Sequence, residues 1–277
     1  MSVTFTELGL ASDVLVWHAA VLTVVSLGVG VLGGFVGLAL GTMRLPALLL
    51  MGVASPTAGG TNILISSLSA LTGTVRHLRE GRVDVRIALV MGVPAVIGAF
   101  IGGFASEEVP EALLLSAAGA LVFWQGIELI ARMRSRRGSN AFVSDTLQGA
   151  EGSFTRTRIA AEGVIGLAVG LVGGAVGLIL GSIRLPALIR VLRVDPRMAA
   201  GTNLFIGFVM GSVGWIGHVV QGHVDYPLLA LMGSSAMVGS YYGARLTGRV
   251  SLDTLLGAMG WVLLIVGALL VWRGVAL

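Results

Sequence analysis

Eight long apolar runs constrain the fold of this chain more than any other feature of its sequence. A helix needs about 20 apolar residues to cross a hydrocarbon core about 30 Å thick. Because the runs are continuous rather than alternating, helices and not barrel strands must satisfy the backbone hydrogen bonds in lipid. We therefore predict an all-α polytopic membrane protein. The runs lie at about 15–42, 57–75, 85–105, 112–131, 159–182, 200–219, 226–246 and 253–272.

The composition fits this class. Only 12% of the residues are charged, against about a quarter in soluble domains. The absence of cysteine excludes disulfides, thiolate metal sites and a cysteine nucleophile. All 18 basic residues are arginines, and most lie in short connections between apolar runs, as membrane topology requires. We expect no nucleic-acid partner. The N-terminal segment lacks a basic region and does not have the pattern of a cleaved signal peptide.

The chain contains two copies of one unit. Residues 30–49 and 170–189 are identical at 13 of 20 positions, and polar residues downstream also match. We predict a first transmembrane repeat over 1–136, a cytoplasmic linker over 137–157 and a second transmembrane repeat over 158–277. The matching polar residues are Gly60-Thr61-Asn62 with Gly201-Thr202-Asn203, His77 with His218, and Asp84 with Asp225.

The charges of the connections predict that the two repeats are inserted in opposite orientations. Connection 76–86 carries four arginines, whereas its counterpart in the second copy has none. The connection that follows is acidic in the first copy, at 107–111, but carries Arg245 and Arg249 in the second. Because arginines concentrate on the cytoplasmic side, equivalent connections should lie on opposite faces of the membrane. Fifteen of the 18 arginines then share one face.

Inverted repeats require an odd number of crossings in each half. The short RLPAL stretch after the first run of each copy must therefore contribute, either as a half-helix or as a short crossing. We predict about eight full transmembrane helices plus two short broken or re-entrant segments, about ten segments in all. The alternative is eight plain crossings arranged as two parallel copies.

Two arginines stand out because they occupy equivalent positions of the two copies, between apolar stretches. Arg44 and Arg184 each precede a proline by two residues, Pro46 and Pro186. Proline is favoured in the first turn of a helix, and the free N–H groups of that turn attract anions. Together with a guanidinium, which contacts oxyanions in a bidentate manner, this arrangement predicts an anion site. The alternative is that both arginines reach lipid headgroups.

Glycines recur at four-residue spacing before each of these arginines. This spacing lets helices pack closely, and glycines at such a place also free the backbone to unwind, as in the broken helices of transporters. We include Gly41 and Gly181 in the predicted site. The run from Gly28 spells GxGxxG, but no strand precedes it, so we reject a dinucleotide site. The spaced glycines are Gly33, Gly37, Gly41, Gly173, Gly177 and Gly181.

The repeated Gly-Thr-Asn sequences extend the predicted site. Thr61 and Asn62, like Thr202 and Asn203, follow a glycine and precede an apolar run. They would cap a helix or donate hydrogen bonds to a bound anion, and the two roles are compatible.

His77 and His218 lie near the ends of matching helices, each before an aspartate that should cap the next helix. We expect both histidines at the membrane interface, with proton coupling as the alternative role. Glu128 and Glu162 lie within apolar runs, where we expect interfacial or arginine-paired carboxylates. No spacing typical of metal ligands or of a cofactor site is present, so we predict neither a metal nor a cofactor.

The repeated motifs resemble the sulfite exporter TauE/SafE family over nearly the whole chain. They read GFVGLALGTMRLPALLL, PTAGGTN and HLREGRVDVR in the first half, and GAVGLILGSIRLPALI, PRMAAGTN and HVVQGHVDY in the second. The chain departs from the family where three successive glycines are common, and it has arginine where an apolar residue is usual. The resemblance implies transmembrane transport of small sulfur-containing anions such as sulfite or organosulfonates.

Taken together, these features predict a multi-pass secondary transporter of a small anion in the cell inner membrane, working by alternating access. No P-loop is present, so an ion gradient or the substrate gradient would supply the energy. Its expected partners are the anion and membrane lipid, and a homodimer is compatible with the sequence. An anion channel and a membrane scaffold or assembly protein are the alternatives. An intramembrane enzyme is disfavoured because no nucleophile–base pair is visible.

Overall fold

The computed structural model of the chain describes residues 4, 6, 12–36, 40–138, 156–186, 188, 194–246 and 252–276. Within these ranges it contains ten α-helices, one 3₁₀-helix at Ala105–Glu107 and no β-strand, which confirms the all-α prediction. The helices are α1 (Val16–Val36), α2 (Gly41–Leu50), α3 (Ser55–Arg79), α4 (Val85–Phe104), α5 (Glu111–Gly138), α6 (Arg156–Val176), α7 (Gly181–Pro186), α8 (Pro196–Val220), α9 (Tyr226–Leu246) and α10 (Leu252–Ala276).

Eight of these helices are long and two are short, as the sequence predicts. The short ones, α2 with 10 residues and α7 with 6, contain the two RLP sequences. Five helices of the described part of the chain are long and apolar enough to cross a membrane. For the other three long helices, α3, α6 and α9, a membrane crossing stays a prediction. The five spans are Val16–Gly33, Val85–Glu107, Glu111–Ala131, Met198–Val220 and Met259–Ala276.

The equivalent helices α3 and α8 run antiparallel. Gly60, near the start of α3, packs against His218, near the end of α8. Gly201, near the start of α8, packs in the same way against His77, near the end of α3. The pair α5 and α10 is also antiparallel, with contacts Gly119–Val271 and Gly126–Leu264. Two repeats of opposite insertion require this relation between equivalent helices.

Glycines bring the backbones of α4 and α6 into direct contact. A Cβ on Gly98 would meet the Leu167 carbonyl oxygen, and a Cβ on Gly170 would meet the Ala95 carbonyl oxygen. Small residues at such positions allow helices in lipid to gain van der Waals contact along their length. Close packing by glycine is therefore observed between α4 and α6, at positions that the sequence did not single out.

Helix α2 and the α6–α7 connection share one buried apolar cluster. It joins Leu45 and Leu48 of α2 to Leu178 and Leu180 of the α6–α7 connection. Residues 139–155, most of the predicted linker 137–157, lie outside the described residues, and so do Gly37 and Arg249. The repeat boundaries and the cytoplasmic position of the linker stay predictions.

Candidate functional site

Each short helix follows a break in an apolar run, at equivalent places in the two halves. Helix α1 ends at Val36 and α2 begins at Gly41, while α6 ends at Val176 and α7 begins at Gly181. Gly177, in the second break, has a φ of +76°, and a Cβ there would overlap the Cα of Gly59 in α3. Only glycine fits this close approach. Gly177 thus lies in the second break, as one of the two predicted roles of these glycines requires.

The structure corrects the predicted place of the two prolines. Pro46 lies inside α2, five residues after its start, and Pro186 is the last residue of α7, so neither opens its helix. The helices begin earlier because Gly41, which has no side chain, fits against Ser66 and Asn62 of α3. Arg44 therefore lies at the end of the first turn of α2. The N-cap residue of this helix, Leu40, makes no side-chain hydrogen bond.

The Gly-Thr-Asn sequences also lie deeper in their helices than predicted. Helix α3 begins at Ser55 and α8 at Pro196, so the N-capping interpretation of Thr61-Asn62 and Thr202-Asn203 is wrong. Prolines take the first turns instead, at Pro56 and Pro196, where a missing N–H has no cost. The threonines and asparagines are placed in the second turn, facing other helices.

The two threonines brace one half of the molecule against the other. The Thr61 hydroxyl accepts a hydrogen bond of 3.0 Å from the backbone N–H of Asp225, and the Thr202 hydroxyl accepts one of 2.9 Å from that of Asp84. Asp84 and Asp225 in turn accept hydrogen bonds from the first turns of α4 and α9, so their predicted capping role is confirmed. The threonine hydroxyls are therefore engaged at the interface of the halves.

Arg44 and Arg184 are both buried, with 1% and 0% of their surface exposed. Such burial is incompatible with side chains that reach lipid headgroups, so that alternative is wrong. Among the described residues neither arginine forms an ion pair. Each guanidinium lies where an uncompensated charge is costly, at least about 2.5–3.5 kcal/mol in a membrane.

Arg184 is held by hydrogen bonds within its own half. Its Nε donates to the Asn203 side-chain oxygen at 3.1 Å, and its Nη2 donates to the Asn203 carbonyl at 3.4 Å. Its Nη1 donates to the sulfur of Met210 at 3.1 Å. The structure thus brings together the predicted pair of Arg184 and Asn203.

Arg44 has a different environment. Its Nε and Nη1 have no hydrogen-bond partner among the described residues. The same holds, within that part of the chain, for the hydroxyls of Thr42 and Ser66 and for the side-chain oxygen of Asn62. All four side chains are buried. Gly41, at the start of α2, lies against Ser66 and Asn62 of α3, and Thr42 and Arg44 follow Gly41 in the first turn of α2. We call Thr42, Arg44, Asn62 and Ser66 the α2–α3 cluster.

Ser66 and Thr42 were not among the predicted site residues. Ser66 lies one helical turn after Asn62, on the same face of α3, and that spacing could have indicated it. Ser66 is not repeated in the second half, where its counterpart is Gly207, so the match between the two copies does not indicate it.

The two arginines flank the crossing of α3 and α8. At the crossing the Ser67 hydroxyl donates to the Phe208 carbonyl at 2.7 Å. Asn62 is five residues from Ser67, and Asn203 five from Phe208, so each arginine's asparagine lies about 8 Å from the crossing along its helix. The α6–α7 break reaches the same place, since Ile179 packs against Gly211.

A histidine and a glutamate of the predicted set are buried among helices. The Nε2 of His218 lies 2.8 Å from the Gly174 carbonyl oxygen, and its Nδ1 lies 3.4 Å from the Ser106 hydroxyl. The neighbouring Gly60 and Gly103 leave room for the ring. His77 is half-buried beside Gly201.

Glu162 is fully buried in α6, whereas Glu128 is half-buried in α5, and an interfacial or arginine-paired role for each stays a prediction. In the described part of the chain no three His, Asp or Glu side chains come together as metal ligands.

Ten helices with two central breaks, and buried basic groups beside those breaks, define a polytopic helical membrane transporter. The chain belongs to the sulfite exporter TauE/SafE family, whose model matches residues 22–270. The family is one of membrane transporters and not a class of enzymes.

Curated relatives from Bacillus subtilis (strain 168) carry names of the same kind. The probable membrane transporter protein YunE is 25% identical over 274 residues, covering 92% of this chain and 98% of its own length. The probable membrane transporter protein YdhB is 27% identical over 245 residues, covering 88% and 96%. The probable membrane transporter protein YjnA is 22% identical over 251 residues. No solved structure matches the chain significantly.

Proposed function

We propose that the chain is a secondary transporter of a small anion in the cell inner membrane. The anion we propose is sulfur-containing, such as sulfite or an organosulfonate, in line with the name of the family. Arg44 and Arg184 supply the positive charge, and the polar groups of α3 and α8 supply hydrogen bonds. The proposed partners are this anion and membrane lipid, and a homodimer stays a prediction.

One observation carries the proposal. Arg44 is buried without an ion-pair partner among the described residues, in a helix turn that begins against Ser66 and Asn62, whose side-chain oxygens also lack partners among those residues. A buried charge is retained in a membrane protein where function requires it, and an anion is the ligand that compensates a guanidinium. The start of α2 adds N–H groups that no side chain caps, which favours negative charge at the same place.

The proposed mechanism is alternating access, in which one half moves against the other around a site near the α3–α8 crossing. The antiparallel packing of equivalent helices supports this mechanism. If the two halves adopt each other's conformations, the contacts between them are preserved while the open side of the site changes. His77 and His218 are proposed for proton coupling, which would let an ion gradient drive transport against the substrate gradient.

Transport by the purified protein in proteoliposomes tests the proposal. We expect saturable sulfite uptake that is accelerated by unlabelled sulfite on the opposite side, which a channel would not show. Arg44→Gln and Arg184→Gln should each lower uptake by about ten- to a hundredfold, since a lost hydrogen bond to a charged group costs about 1.5–3 kcal/mol. Ser234→Ala is the control, because its hydroxyl bonds only to its own helix. Unchanged uptake in both arginine variants would refute the site.

A further inference from the structure

The α2–α3 cluster has a fixed pattern of hydrogen-bond donors and acceptors. The Asn62 side-chain nitrogen donates to the Gly177 carbonyl at 2.9 Å. A carbonyl can only accept, so this bond fixes the orientation of the amide. The Asn62 side-chain oxygen is then an acceptor, and it has no donor among the described residues. Arg44 offers only donors, whereas the hydroxyls of Thr42 and Ser66 can do either.

The second half has no equivalent cluster. There the oxygen of Asn203, the counterpart of Asn62, accepts from Arg184 at 3.1 Å. Gly207 takes the place of Ser66, and a Cβ on Gly207 would lie 3.1 Å from Nη2 of Arg184. The loss of a side chain at Gly207 therefore makes room for the guanidinium to bond within its own half. Of the two equivalent sets of residues, the one whose arginine and asparagine lack partners among the described residues is therefore that of the first half.

We propose that the α2–α3 cluster is one anion site per chain and that it selects a monoanion which also carries a hydrogen-bond donor. The single guanidinium of the cluster compensates one negative charge. Buried polar groups are nearly always paired, and no described donor bonds the Asn62 oxygen, so we assign its partner to an N–H or O–H group of the ligand. An anion with acceptors only would bring a lone pair against that oxygen. This inference rests on the proposed transport of small anions and specifies its substrate.

Sulfamate and methanesulfonate form a matched pair of probes. Both are small tetrahedral monoanions at neutral pH, and they differ in an amino group against a methyl group. Calorimetric titration of the full chain in detergent should give sulfamate at least about tenfold tighter binding, because an acceptor left unpaired is costly. The stoichiometry should be one per chain. Equal affinities, tighter methanesulfonate, or two equivalent sites would overturn the inference.

Variants locate the effect. Asn62→Leu removes the acceptor, so the affinities for the two anions should become equal within about threefold. Ser66→Ala should weaken both, while Thr72→Ala, an exposed position of the same helix whose hydroxyl bonds to Ser69, should weaken neither. A full sulfamate preference in folded Asn62→Leu would contradict the assignment. If Asn62→Leu does not fold, the comparison of the two anions on the unaltered chain decides.

The proposed function fails separately. Absence of anion binding together with absence of anion flux would refute both the function and this site. Saturable sulfite flux by a protein that binds the two probes equally would refute only the donor requirement. Flux and binding that both persist in Arg44→Gln would refute the α2–α3 cluster as the site.

Discussion

Asn62 and Asn203 occupy equivalent positions yet have different roles. The Asn203 oxygen accepts from a buried guanidinium, whereas the Asn62 oxygen has no donor in the described part of the chain. Asn203→Leu should therefore lower the free energy of unfolding by about 1.5–3 kcal/mol, the value of a hydrogen bond to a charged group. Asn62→Leu loses only the neutral bond to Gly177, about 1 kcal/mol.

Denaturant unfolding in detergent would measure this difference. The control is Ser234→Ala, on the exposed face of α9, which should change stability by less than about 0.5 kcal/mol. Equal losses of unfolding free energy in the two asparagine variants would mean that the Arg184–Asn203 hydrogen bond stabilises the fold no more than a neutral one.

Gly177 and Gly52 separate backbone strain from steric overlap. Both have a positive φ, +76° and +85°. A Cβ on Gly177 would overlap Gly59 of α3, whereas a Cβ on Gly52 would have no atom within 4 Å. Gly52→Ala should therefore cost about 1–2 kcal/mol, the strain of a left-handed conformation. Gly177→Ala should cost more and displace the break, giving a lower melting temperature and poorer expression. A smaller effect at Gly177 would contradict the close approach.

Among single residues, the sequence predicts those site residues that occur in both copies. Arg44, Arg184 and Asn203 could be found because the same residue types recur at the same spacing. Ser66 could not, since its counterpart is Gly207, and a repeat comparison discards positions that differ. The residues that distinguish the two halves have to be read from packing.

The bonds of Thr61 and Thr202 connect whole helices, because each joins the second turn of α3 or α8 to the cap of a helix in the other half. Thr61→Val and Thr202→Val should each lower stability by about 1–3 kcal/mol, since a backbone N–H loses its acceptor. The Asp225 N–H is the more buried of the two, so Thr61→Val should cost more. Thermal unfolding of both single variants and of the double variant would test this order. A lower melting temperature for Thr202→Val than for Thr61→Val would contradict it.

The sequence predicts which helices exist better than it predicts where they begin. The apolar runs predict all eight long helices, because length and hydropathy decide what can span lipid. The starts of α2, α3 and α8 are earlier than predicted, since Pro46 was taken to open a helix that Gly41 begins. A proline inside a helix and a proline at its start look alike in the sequence. Only the fit of Gly41 against α3 decides between them.

In the whole molecule, two pairs of equivalent helices run antiparallel, α3 with α8 and α5 with α10. This agrees with the opposite insertion that the charges of the connections predict, because insertion follows the charge of short connections. How the α6–α7 break packs against α3 could not be predicted, because it depends on close approaches such as Gly59 against Gly177 that no local pattern encodes.

The predicted opposite insertion of the two halves specifies which side of the membrane the ends of α3 and α8 face. Glu80 and Gln221 are equivalent positions just after these ends, and the chain has no cysteine of its own. Glu80→Cys should react with a membrane-impermeant maleimide only from the cytoplasmic side, and Gln221→Cys only from the opposite side, because the arginines near Glu80 hold that connection inside. A cysteine at exposed Ser234, within α9, is the control for reaction inside the bilayer. If both variants were labelled from one side, the halves would be parallel, and alternating access by exchange of the halves would have no structural basis.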